Sequence, residues 1–117
     1  MNHRKPLSVV RLPAVLALAV LALPMLAATA TAAEIEIVQK DKAFSQPTAK
    51  IKVGDTISFR NGDPFFHNVF SLSDVKTFDL GSYAQGLSKK VVFDKPGTVE
   101  VECAIHPQMK LTVEVVK

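Results

Sequence analysis

The stretch Thr98-Val99-Glu100-Val101-Glu102-Cys103-Ala104-Ile105-His106-Pro107-Gln108-Met109-Lys110-Leu111-Thr112-Val113-Glu114-Val115 decides how the chain folds. In its first part Val99, Val101 and Cys103 share one face of a two-residue alternation, and Thr98, Glu100 and Glu102 share the other. In its last part Leu111, Val113 and Val115 do the same against Thr112 and Glu114. Successive side chains of a strand point to opposite faces, so each part reads as a strand with one apolar and one wet side. Between them a short loop carries a thiol, an imidazole and a thioether at three-residue spacing.

Outward from this stretch the same period returns at Ile35 and Ile37, Ile51 and Val53, Ile57 and Phe59, and Val91 and Phe93. The punctuation is Gly54-Asp55, Asn61-Gly62-Asp63-Pro64, Gly81, Gly86 and Lys95-Pro96-Gly97, residue types that supply turns. No segment has a helical period of useful length. Several short strands of one-sided polarity predict an all-β fold of two packed antiparallel sheets. Ser73 to Ser88 is the least readable part, suited to an excursion between strands or to a short edge strand.

The first 33 residues read differently. His3, Arg4, Lys5 and Arg11 precede an apolar run from Ala14 to Leu23, and a small-residue stretch from Ala27 to Ala33 contains Ala30-Thr31-Ala32. A positive start, a short apolar middle and an A-x-A site describe a secretory signal peptide. The apolar run is shorter than the roughly 20 residues a membrane span needs, so stable membrane insertion is not expected after cleavage. Residues 34–117 are then one domain of an exported, periplasmic protein. Three of the chain's 14 basic residues lie in the leader and none of its 11 acidic ones does, so the exported part is balanced at eleven of each. Without a basic stripe there is no case for nucleic acid.

Export also bears on the one cysteine, which has no internal partner for a disulfide. With His3, Met1 and Met25 in the leader, the domain keeps only His67, Cys103, His106 and Met109 as imidazole or sulfur groups. Taken singly, each is ordinary: a strand cysteine is often a buried thiol and a strand methionine often core. Their joint occurrence, with no such group elsewhere in the domain, points to a metal. Two imidazoles, a thiolate and a weak axial thioether are the donor set of blue copper. A structural zinc site prefers four stronger donors. Iron–sulfur clusters need several thiolates, and attached haem needs C-x-x-C-H.

The segment Asn61 to Val69 with His67-Asn68-Val69, the run Val53 to Phe59, and Phe93-Asp94-Lys95-Pro96-Gly97 through Cys103, His106 and Met109 resemble cupredoxins of the plastocyanin and amicyanin type. The short step from His106 to Met109, with Pro107 directly after the histidine, is similar to the amicyanin loop. The resemblance implies a Greek-key β-sandwich and one type 1 copper ion held by His67, Cys103, His106 and Met109. It implies that Asn68 ties the two ligand loops, and that Phe66 and Pro107 flank His106 as an apolar docking patch. It further implies an electron carrier, not an enzyme, that serves redox proteins such as an amine dehydrogenase donor and a c-type cytochrome or oxidase acceptor. A copper carrier or storage protein using the same ligands is the alternative. Ala104, Ile105 and Gln108 depart from the family, which usually has Thr or Ser, Pro, and an aromatic there.

Overall fold

The computed structural model describes residues 2–26 and 31–117. Residues 2–26 carry no helix or strand, and no helix among the described residues is long and apolar enough to cross a membrane. Ala27 to Ala30, part of the expected cleavage region, lie outside the described residues.

Nine strands follow: β1 Glu34–Lys40, β2 Ala43–Phe44, β3 Thr48–Lys52, β4 Thr56–Asn61, β5 Asn68–Ser71, β6 Phe78–Ser82, β7 Ser88–Val92, β8 Gly97–Cys103 and β9 Lys110–Val116. They form a four-stranded sheet in the order β2-β1-β4-β7 and a five-stranded sheet in the order β3-β9-β8-β5-β6. The alternation read from the sequence is the burial pattern. Val99, Val101, Cys103, Leu111, Val113 and Val115 are buried, while Glu100 and Glu114 face water. Phe59 lies at the centre, with Phe44 and Phe78 at ring distances of 6.4 and 6.0 Å, and Phe78 packs in turn on Phe93. This core closes the two inner faces on each other.

Two features correct the expectation. The sheets are mixed, because β1 runs parallel to β4 and β3 runs parallel to β9. Parallel neighbours need a crossover, and here the chain leaves the first sheet after β2, runs β3 along the edge of the second, and returns as β4 beside β1. Strand periodicity carries no information about direction. In addition, Val53, read as a core partner of Ile51, lies beyond β3 and is exposed. Its amide donates to Val116 O at 2.8 Å, so its place is set by the backbone. The ambiguous segment from Ser73 contains the edge strand β6, which pairs with β5 through a register shift.

Candidate metal centre

Strand pairing brings the distant histidine to the cysteine. β5 begins at Asn68, the residue after His67, and runs antiparallel to β8 with Val69 opposite Cys103. The Ala104 amide donates to Asn68 O at 2.9 Å, which extends the pairing one step past the strand. The chain then turns back, the Met109 amide donates to His106 O at 2.9 Å, and β9 starts at Lys110. Both connections are short, so His67, Cys103 and His106 converge at one end of the sandwich.

Their donor atoms face one another. His67 Nδ1 and His106 Nδ1 lie 3.1 Å apart, and Cys103 Sγ lies 3.8 Å from the first and 3.7 Å from the second. Bonds of about 2.0 Å to imidazole nitrogen and about 2.3 Å to thiolate sulfur place such donors roughly 3 to 4 Å apart around one ion. The separations therefore fit a single metal. One thiol and two imidazoles are also the soft and intermediate donors that copper accepts in both oxidation states.

Met109 is buried at the end of the same loop, in phase with Leu111, Val113 and Val115. Asn68 sits between the ligand loops, but its tie to Ala104 is made by its backbone carbonyl, and its side-chain Oδ1 is buried without a partner. Phe66, Pro107 and Ile105 are exposed, and His106 is partly so. Phe65 is in contact with the centre, its ring 5.3 Å from that of His67 and 5.5 Å from that of His106.

The second layer of the site contains residues that sequence reasoning took only for a turn. Asp63 is buried, and its Oδ2 lies 2.7 Å from His67 Nε2. With Nε2 donating to this carboxylate, the Nδ1 lone pair of His67 is left free for the metal. The same carboxylate accepts the Asp41 amide at 2.8 Å and the Lys42 amide at 3.3 Å. Burial pushes the Asp63 carboxyl up, but the His67 ring and the two amides outweigh it and hold its pKa below the ordinary value. Asn61 orders the loop in turn: its Nδ2 donates to Phe65 O and Tyr83 O, and its Oδ1 accepts the Asp63 amide. An acid four residues before a candidate ligand histidine was the available signal for Asp63. For Asn61 there was none, because its partners are backbone atoms.

At His106 the balance runs the other way. Partial burial, then the neighbouring His67 and Lys42, depress its pKa, and Asp63 opposes them. A depressed imidazole keeps its lone pair available for a metal at neutral pH. Behind the centre, Gln39 Nε2 donates to the Tyr83 hydroxyl, which donates to Phe59 O, each at 2.8 Å. Burial, more than any neighbour, pushes the Tyr83 phenol up and keeps it neutral.

Sandwich, loop and donor set together define a cupredoxin, a type 1 copper protein. The chain belongs to the plastocyanin/azurin family of copper binding proteins, whose sequence pattern matches residues 31–116. Its cofactor is copper, and it is an electron carrier, not an enzyme. It is 33% identical over 95 residues to the methylamine utilization protein MauL of Methylorubrum extorquens strain AM1, covering 80% of this chain and 83% of that one. Among solved structures it resembles a reduced tryptophan-to-tyrosine variant of amicyanin, with TM-score 0.63 and 27% identity over 76% of this chain and 87% of that one. It also shares its fold with the copper-containing nitrite reductase of Thermus scotoductus SA-01. There the TM-score is 0.67 at 24% identity, over 72% of this chain but only 22% of the reductase.

Proposed function

We propose that this cupredoxin works in the periplasm, carrying single electrons between redox proteins, with one copper ion held by His67, Cys103, His106 and the axial thioether of Met109. The observation that carries this reading is the mutual approach of two imidazole nitrogens and one thiol to within 3.1 to 3.8 Å at the end of a rigid sandwich. Bound copper supplies the one-electron couple. The chain's own residues do the rest. Cys103 lies buried, away from water and from oxidation. Asp63 fixes the tautomer and the ring plane of His67. β5, β8 and β9 hold the donors against rearrangement, so little structural change accompanies a change in charge. His106, partly exposed with the Phe65 ring against it and followed by exposed Pro107, is the edge presented to partners.

The leader in residues 1–33 supports export, and the methylamine utilization relative supports a place in the oxidation of amines. The donor is then an amine dehydrogenase and the acceptor a c-type cytochrome or oxidase. The test is a visible and EPR spectrum of the purified Cu(II) protein, repeated with Cys103→Ser. Strong blue absorption with small hyperfine splitting is expected, and the substitution should abolish both. Colourless copper binding, or rapid loss of copper to a chelator, would assign the protein to copper transport or storage instead.

A further inference from the structure

The tip of the β1–β2 hairpin stands beside the metal centre. Asp41 and Lys42 form its two-residue turn, closing the Lys40–Ala43 pair with φ of 54° and 57°. Both lie in the left-handed region, which such hairpin turns require and which glycine or asparagine would adopt at lower cost. Asp63 compensates by accepting both turn amides while it also holds the His67 ring. One buried carboxylate thus fixes a metal-facing ring and a solvent-facing turn in the same frame.

The side chain carried on this turn reaches the exposed apolar surface. Lys42 Nζ lies 5.8 Å from the centroid of Phe65, and the Phe65 ring touches His106. Phe65, Phe66 and Ile105 are 38%, 58% and 50% exposed. The charged or titratable groups that face the His106 ring are His67, Cys103, Lys42 and Asp63. His67, Cys103 and Asp63 are buried, which leaves Lys42 as the one exposed to solvent. The other exposed charged residues of the tip are Lys40, whose Nζ donates to Gly62 O, and Asp41, so its solvent-facing side chains sum to one positive charge, with the Asp63 carboxylate buried beneath them.

We propose that this hairpin tip and the apolar patch form one docking surface for an acidic redox protein, one whose apolar electron port is rimmed by carboxylates, with Lys42 as the residue that reads its charge. The proposal rests on the reading of the protein as an electron carrier that exchanges through His106. A lysine beside an exposed electron port steers anionic partners toward it and repels cationic ones.

The test uses the full copper-loaded protein in its Cu(I) form, oxidised in a stopped-flow instrument by anionic hexacyanoferrate(III) and by cationic tris(phenanthroline)cobalt(III). At about 10 mM ionic strength, where screening extends over roughly 30 Å, Lys42→Glu should slow the anionic oxidant by about fivefold and speed the cationic one by a similar factor. Both effects should fade in about 1 M salt. Lys95→Glu, in the turn that precedes β8 at the end opposite Cys103, should leave both rates near wild type. With a c-type cytochrome of net negative charge, the wild-type rate should fall as salt rises.

Equal changes for the two oxidants, an equal response to Lys95→Glu, or a cytochrome rate that rises with salt would overturn the proposal. So would self-association that Lys42→Glu abolishes, since the face would then belong to a second copy of the chain. A wild-type protein with no blue spectrum would defeat the carrier reading itself, a failure visible before any rate is measured.

Discussion

The two loops that deliver the histidines are built in opposite ways. The first, Asn61 to His67, is bonded along most of its length. Gly62 N donates to Gln39 O, Gly86 N to Asn61 O, and Asn61 N to Leu87 O, while the Asn61 and Asp63 side chains add five more bonds to backbone groups and one to His67. Gly62 sits so close to β1 that a Cβ there would meet Val38 Cγ1 at 3.0 Å and Gln39 O at 3.1 Å. The second loop, Ala104 to Met109, is held by the Ala104 bond to Asn68 and the Met109 bond to His106, and most of its residues face water. One histidine is therefore fixed from behind by side chains, and the other by the shortness of its connection. On the proposed function, a partner would meet the second loop while the first holds the reference.

The largest test of this contrast is Asp63→Ala. It strands His67 Nε2–H and removes the acceptor for two turn amides, and buried donors left without partners are costly. The metal-free protein should lose about 3 kcal/mol in urea unfolding. Copper affinity should fall by roughly tenfold or more, as expected when the partner of a ligand histidine is removed. Gln108→Ala in the second loop should change stability by less than about 0.5 kcal/mol, the usual range for an exposed position. If the two substitutions cost the same, the contrast between the loops is wrong.

Acid titration probes the same carboxylate more gently. The Asp63 pKa is held below the ordinary 3.8 despite the upward push of burial. That of Asp55 is lowered by the Lys52 amide first and the Ala33 amide second. A carboxyl depressed on folding contributes stability that is fully present above its unfolded value and is lost as pH falls through its folded value. Stability of the metal-free protein should therefore decline below about pH 4 and keep declining as both carboxylates take up protons. Asp63→Asn, which cannot titrate, should flatten this acid limb in urea midpoints measured from about pH 6 to about pH 2. An acid limb of unchanged slope would mean that the first loop does not depend on the charge of Asp63.

The strands were legible, and the candidate donors could be picked out, because both are written in residue type. Alternation marked β8 and β9, and the imidazole and sulfur groups of residues 34–117 could be counted by type. The 36 positions between His67 and Cys103 leave room for intervening strands, and it is the pairing of Val69 with Cys103 that brings the two side chains together. Sheet direction was not legible, because a parallel strand such as β1 alternates as an antiparallel one does. The support of the site was also hidden. Asp63 and Asn61 lie in Asn61-Gly62-Asp63-Pro64, a string whose composition already satisfies a turn, and their work is done through backbone amides and carbonyls that no sequence distinguishes. Exposure of Val53 shows the same limit, since the main-chain bond to Val116 outweighs the side chain's preference for the core.

The smallest expected effect concerns the tie between the loops. Asn68 Oδ1 is buried with no donor, beside an Ala104 whose amide already bonds Asn68 O at 2.9 Å. A hydroxyl at position 104 would bring a donor to that acceptor without adding a charge, so Ala104→Ser should stabilise the metal-free protein by about 1 kcal/mol, the usual net value of one hydrogen bond. The gain must run through Asn68 if the account is right. In an Asn68→Ala background the same serine should add nothing measurable, and the coupling from the double-mutant cycle should equal the gain itself. A serine that stabilises both backgrounds equally would be acting through solvent or the unfolded chain, and the two loops would then be joined by their backbones alone.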